Sequence, residues 1–273
     1  MERYFRPSSL QAALAILAER PGSTPLAGGT DYYPARVAQP PEDQILDIAA
    51  LPGLRQIETH ADHWWIPCLT TWTDIIGTNL PPVFDALKQA ANQVGGRQIQ
   101  NVATLAGNIC NASPAADGVP CLLAMNASVV LANTERSRTL PLQDFLLGPR
   151  KTARHPNELL LGFRIPRTDA ATHAVFLKLG SRRYLVISIA MVAAIVTRTP
   201  EGRIAAAQIA VGSCSATAQR LPALEAALIG TTGDLATILD EHLAPLSPID
   251  DIRGTAAYRR RAVATLLRRA VAA

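Results

Sequence analysis

Residues Pro25–Tyr33, "PLAGGTDYY", place two adjacent glycines between a short apolar run and a segment with helical character. Neither G-x-G-x-x-G nor G-x-x-x-x-G-K-[ST] can be laid over them, so taken alone the stretch reads as a tight turn. Its surroundings form a small α/β unit. Ser8 or Ser9 can cap a helix running to about Glu19, with Leu10, Leu14 and Leu17 on one face and Gly22 just beyond its end. "STPLA" is a strand leading into the glycines, a helix after them must stop at Pro40-Pro41, and "QILDIA" is a second strand.

A second small-residue stretch lies further along, at Gly95–Asp117: "GGRQIQNVATLAGNICNASPAAD". It lacks both the helical and the strand period, so it is expected to be loop and turn. A loop of that length inside a compact domain usually has a functional reason. Glycine turns hold phosphates by presenting backbone N–H groups with no Cβ in the way. The first loop offers Gly28, Gly29 and the Thr30 hydroxyl. The second offers Thr104, Gly107 and the Asn108 amide, then Asn111, Ser113 and Asp117. Two such loops can embrace a pyrophosphate from both sides, and a carboxylate such as Asp117 suits the hydroxyls of a ribose or ribityl chain.

Between and after the loops, "LRQIETHADHWWIPCL" reads as two strands around a polar turn. "TTWTDII" opens a helix capped by Thr70 or Thr71, and Val83–Val94 is a further amphipathic helix. After a short helix at Val119–Met125, "SVVLAN" and "RTLPL" make a hairpin, and "ELLLGFRIP" is a strand ended by Pro166. Beyond residue 170 three strands follow in succession, "AVFLKLG", "VISIAMVAAIV" and "IAAAQIAVGSC", the last two joined by the turn "TPEGR". Three helices come next: "PALEAALIG", "DLATILDEHL" and "TAAYRRRAVATLLRRAVAA". Strands then helices, after such a change of pattern, predict a separate α+β layer.

The 273 residues, 48% hydrophobic, are enough to bury a large core, and 18% charged residues argue against extensive disorder. The net charge of +4 collects at Arg150-Lys151 with Arg154, at Arg182-Arg183, at Arg259–Arg261 and at Arg268-Arg269. Aromatics are only 5% and do not interleave with these clusters, so they read as solvated or subunit-facing surfaces rather than a nucleic-acid platform. The start, "MERYFRPSSLQAALAIL", has no signal-peptide apolar run, and Leu185–Val196 is too short to span a bilayer and reads as a buried strand. The expectation is a cytoplasmic protein. Cys68, Cys110, Cys121 and Cys214 form no C-x-x-C pair and support neither a disulfide framework nor a metal or iron–sulfur site.

"PLAGGTDYYP", then "GGRQIQNVATLAGNICNASPAAD", "LLGPRKT" and "FLKLGSRR", and the ending "IDDIRGTAAYRRRAVATLLRR", together resemble the FAD-binding medium subunit of molybdenum hydroxylases, the xanthine dehydrogenase and carbon monoxide dehydrogenase type. The resemblance runs in order along essentially the whole chain. It implies an α+β protein. A two-part FAD-binding domain of the vanillyl-alcohol-oxidase-like (PCMH) type would occupy residues 1–168, with parts of roughly 1–52 and 53–168. A small C-terminal α+β domain, a three-stranded sheet plus helices, would occupy 169–273. FAD would lie between the two parts with its pyrophosphate against both loops. The first flavin loop maps to Leu26, Ala27, Gly28, Gly29, Thr30 and Asp31, with Pro25 and Tyr32 at its ends. The second maps to Thr104, Leu105, Ala106, Gly107 and Asn108, followed by Asp117. Leu160 and Lys178 fall on further flavin contacts, and Val94 where some members place an aromatic beside the ring.

Function follows from the same resemblance. The chain would take electrons from 2Fe-2S clusters on a small partner subunit, while a large partner carries molybdopterin and the substrate chemistry, as a dimer of heterotrimers. Two other readings stand beside it: a stand-alone FAD oxidoreductase acting on a small molecule, and a flavin-free scaffold subunit. The second loop departs from the family where Ala106 replaces one of two adjacent glycines. If that position needs positive φ, alanine costs on the order of 1 kcal/mol; if it needs only a small side chain, nothing is lost. Asp31 beside a phosphate would be repulsive, which favours a turn-capping role through backbone N–H groups. Tyr184, after the arginine pair, either approaches the flavin or packs. Trp64 and Trp65 put one indole on each face of a strand.

Overall fold

A computed structural model describes residues 3–36, 43–168, 172–233 and 238–273. The chain opens with β1 (Tyr4–Phe5), α1 (Leu10–Glu19), β2 (Thr24–Leu26) and β3 (Ile45–Asp47), the strands forming a parallel sheet in the order β1-β3-β2. Ser9 caps α1 by accepting from the Ala12 amide at 3.2 Å, and Ala13, Leu14 and Leu17 turn inward. The expected helix after Gly28-Gly29 is a turn and one 3₁₀ turn, Pro34–Arg36; Pro40-Pro41 lie outside the described residues.

Five antiparallel strands form the middle sheet. These are β4 (Glu58–Thr59), β5 (His63–Pro67), β6 (Ser128–Ala132), β7 (Ser137–Pro141) and, after a small ribbon of β8 (Leu146–Gly148) and β9 (Lys151–Thr152), β10 (Leu159–Pro166). Their order is β4-β5-β10-β6-β7. Trp64 meets the edge of Phe84, 5.5 Å between ring centroids, while Trp65 covers Gly162 on the paired strand. Six helices are interleaved: α2 (Trp72–Gly77), α3 (Asp85–Gln93), α4 (Arg97–Val102), α5 (Leu105–Asn111), α6 (Gly118–Ala124) and α7 (Leu142–Phe145). Thr71 and Asp74 close a capping box at the start of α2. The stretch expected to be loop, 95–117, therefore holds two helices. They have six and seven residues, too few turns for a 3.6-residue period to show in a small, polar sequence.

The last part is an antiparallel meander, β11 (Thr172–Leu179), β12 (Ala190–Arg198), β13 (Ile204–Gly212) and β14 (Gln219–Arg220), covered by α8 (Pro222–Leu228) and α9 (Ala256–Ala272). A short fourth strand thus extends the three expected. Leu185–Ile187 do not join β12: Leu185 has φ +53, and both Leu185 and Ile187 are exposed. In "DLATILDEHL" residues 234–237 lie outside the described residues, and Asp240–Leu243 form a 3₁₀ turn. Alternation along β12 places it between two cores. Met191, Ala193 and Ile195 pack into the first with Phe176, while Ala190, Val192, Ala194 and Val196 pack towards Val263, Leu267 and Val271 of α9.

Candidate functional site

A cleft of about 570 Å³ opens where the end of β2 meets the start of α5. That is the ordinary size for a small-molecule or cofactor site, roughly 300–1,000 Å³. Its walls include Pro25, Leu26, Ala27, Gly28, Gly29, Thr30, Asp31 and Tyr32 from the first loop, and Thr104, Ala106, Gly107 and Asn108 from the second, with Val94 and Leu160. Leu105 is fully buried behind the wall.

The two glycine loops touch. A Cβ built on Gly28 would overlap the carbonyl oxygen of Val102, so the first loop's backbone runs directly against the residue before Ala103-Thr104. Only glycine permits that approach. Gly29 has φ +66, and a Cβ there would stand 2.7 Å from the Tyr33 ring. The second loop is an α-helix entry. The Thr104 hydroxyl accepts from the Gly107 amide at 2.9 Å, and the Thr70 carbonyl accepts from the Leu105 amide at 3.0 Å. Ala106 sits in the first turn of α5, among neither the glycine nor the non-glycine residues with positive φ, so its replacement of glycine costs nothing in backbone strain. Gly107 is exposed on the cleft, and a Cβ there would meet only the Thr104 hydroxyl, at 3.0 Å.

Three residues are placed otherwise than the sequence suggests. Among the described residues Asp31 caps no turn; its carboxylate lies 3.3 Å from Nη1 of Arg150. Asp117 and Lys178 are buried against each other at 2.6 Å, and Asp117 also accepts from the Ser188 hydroxyl at 2.7 Å. They are not part of the cleft wall. Burial pushes the Asp117 carboxyl up from its ordinary value, against the pull of the Lys178 ammonium. Tyr184 is exposed, its hydroxyl near Gly96, one residue from the Gly95 that precedes α4.

Arg150 and Arg154, read from sequence as outer surface, line the cleft, as does Arg36. For Arg150 the signal is its place in "LLGPRKT", one of the stretches that carry the resemblance; Arg154 and Arg36 lie outside that stretch. Arg150 holds φ +57, a left-handed backbone that costs a non-glycine residue about 1–2 kcal/mol, with its amide bonded to the Ala112 carbonyl at 3.0 Å. Cys68 and Cys110 also face the cleft; burial pushes their thiols up to about 12 and about 11.

The donor set fits an elongated, doubly anionic ligand with an apolar end. Among the described residues three arginines face one aspartate, and Ile48, Trp72, Val94, Ile99 and Leu160 supply an apolar wall. Gly107 leaves open the space that a side chain would fill. FAD has this character: a diphosphate in the middle and a planar ring at one end.

Comparison with known proteins agrees. Residues 1–168 match the family model described as the FAD-binding domain in molybdopterin dehydrogenase, and residues 176–273 match the carbon monoxide dehydrogenase flavoprotein C-terminal domain. The chain is 31% identical to the glyceraldehyde dehydrogenase medium chain of Sulfolobus acidocaldarius, over 98% of this chain and 96% of that one. It is 28% identical to the carbon monoxide dehydrogenase medium chain of Hydrogenophaga pseudoflava, over 98% and 95%. A chain in the crystal structure of the cyanide-inactivated Cu,Mo carbon monoxide dehydrogenase superposes with a TM-score of 0.91 at 28% identity, over 99% of this chain and 96% of that one. No helix among the described residues is long and apolar enough to cross a membrane. With the family models on both parts of the chain and relatives along its whole length, this protein belongs to the FAD-binding medium subunits of the molybdenum hydroxylases, oxidoreductase subunits whose cofactor is FAD.

Proposed function

We propose that this chain is the electron-transferring subunit of a cytoplasmic three-component hydroxylase. It takes electrons from 2Fe-2S clusters on a small partner and passes them to an external acceptor. Substrate oxidation takes place at molybdopterin on a large partner, in a dimer of heterotrimers. The relatives' names, medium chains of larger dehydrogenases, support that division of labour. The observation that carries it is the chemistry of the cleft, which is built to bind and not to move protons. Its titratable lining comprises an aspartate paired to arginine, two thiols pushed far above neutrality, a tyrosine and three arginines. Among the described residues the lining holds no histidine, lysine or glutamate to serve as the general base that a stand-alone oxidoreductase acting on a small substrate would need.

In this reading residues 25–32 and 104–108 hold the cofactor, which supplies two-electron and one-electron chemistry when bound. The backbone of the first loop and the side-chain gap at Gly107 in the second receive the diphosphate, Val94 and Leu160 stand on the apolar wall, and the arginines set the local potential. Asp117 and Lys178 act from behind that wall by joining α6 to the end of β11 and, through Ser188, to the approach to β12. The purified full chain is expected to be yellow, with about one FAD per chain, and to regain colour after deflavination when FAD is returned. A colourless chain that FAD cannot reconstitute would overturn the reading and favour a flavin-free scaffold. If native purification brings down no iron–sulfur or molybdopterin chain, a stand-alone flavoenzyme takes its place.

A further inference from the structure

Asp31 poses an electrostatic problem. It follows Thr30 on the first loop, its side chain 56% exposed, and a carboxylate there repels a diphosphate held by that loop. The three arginines of the cleft are held very differently. Arg36 is committed to Asp43 at 2.8 Å and lies over the Tyr32 ring at 3.8 Å. Nη1 of Arg154 donates to the carbonyl of Glu158 at 2.8 Å and, more loosely, to those of His155 and Pro156. Arg150 uses Nη1 alone, donating to Asp31 at 3.3 Å and to Asn111 Oδ1 at 3.0 Å. Its Nε and Nη2 make no hydrogen bond among the described residues, as is true of Arg154, but Arg154 is tied to carbonyls of its own segment whereas Arg150, 66% exposed, reaches both loops. A guanidinium with an unused edge therefore bridges the first loop and the last residue of α5, in a turn whose backbone is held through the Ala112 carbonyl and not through the side chain.

We propose that Arg150 is the diphosphate-binding cation of this cleft, and that Asp31 competes for it. Without ligand, Arg150 neutralises Asp31 and ties the two loops together. With FAD present, its free edge pairs with the diphosphate through charge-assisted hydrogen bonds, and Asp31 limits how tightly. The inference rests on the assignment of the cleft to FAD, and the test separates the two.

The deflavinated full chain is titrated with FAD, with ADP, which keeps the adenosine and diphosphate but lacks the flavin ring, and with riboflavin, which lacks the diphosphate. Arg150→Gln should weaken FAD and ADP by about 10- to 100-fold, flatten the salt dependence of ADP binding and leave riboflavin unchanged. Arg150→Lys, keeping the charge, should lose less than about tenfold. Asp31→Asn should tighten ADP by a few fold, the opposite sign. Arg150→Gln binding FAD and ADP at the parent affinity would overturn the proposal. So would equal losses for ADP and riboflavin, which would mark Arg150 as a merely structural bridge, or weaker ADP binding in Asp31→Asn. Gly107→Glu serves as the control on the cleft. If it loses FAD while Arg150→Gln does not, only the role of Arg150 fails; if it keeps full FAD, the cleft assignment fails and this inference with it.

Discussion

The two glycine loops look alike in sequence and are built for different reasons. In the first, Gly28 is required by the fold, since a Cβ would overlap the Val102 carbonyl, and Gly29 by its positive φ and the Tyr33 ring. In the second, Gly107 lies in the first turn of a capped helix and has open space beyond the Thr104 hydroxyl. One glycine pair brings the two parts of the chain together; the other glycine keeps a wall of the cleft clear. A missing side chain therefore marks a ligand only where no protein atom already fills the space.

Substitutions can break this contrast. The largest effect is expected for Gly28→Val. Forcing a branched side chain against backbone at Val102 should cost several kcal/mol, as overpacking and backbone displacement do. The measurement is thermal unfolding with soluble yield, and a variant as stable as the parent would show that the loops do not need their close approach. Next comes Gly107→Glu, which creates the Thr-x-x-Glu pattern of a capping box with Thr104 and places a negative charge at a helix N-terminus. Stability should hold within about 1 kcal/mol, while FAD affinity falls at least about 100-fold through like-charge repulsion and occupied space. Gly107→Ala, which asks the Thr104 hydroxyl to shift only slightly, should keep most of its flavin. The smallest effect is Ala106→Gly. Restoring the family's glycine should lower stability by about 1 kcal/mol through helix propensity and a lost buried methyl. Flavin affinity should stay unchanged; a marked gain in affinity would mean that Ala106 does weaken the grip.

The sequence carried the parts of the fold that depend on local pattern. The Ser9-capped α1, the strands on either side of the first loop, the hairpin of β6 and β7, and the Thr71 cap all follow from period and turn chemistry. It failed where short range misleads. The helices α4 and α5 are too brief to show a period, and the apolar run Leu185–Ile187 looks like strand but is held outside the sheet with Leu185 left-handed. In the cleft, the two loops were legible as a pair because glycine is a local signal. Arg150 was not, because its position depends on a left-handed turn and on Asp31, 119 residues away. The pairing of Asp117 with Lys178, 61 residues apart, is equally hidden in the sequence, where each residue suggests a ligand and not a partner.

β12 is buried on both faces, and this bears on how the chain can be divided. The family model for the FAD-binding part ends at residue 168, yet Phe176, Met191, Ala193 and Ile195, all beyond it, complete that part's own core. The Phe176 amide donates to Gln89 of α3 at 2.8 Å, and the Ser213 amide donates to the Pro114 carbonyl at 2.9 Å. A fragment cut at that point would lose its back wall and leave the apolar sides of α3 and α6 bare to water. For expression or transplantation, the FAD-binding part cannot be parted from β11–β13, and because the other face of β12 packs on α9, that sheet in turn cannot be parted from the helices that follow it.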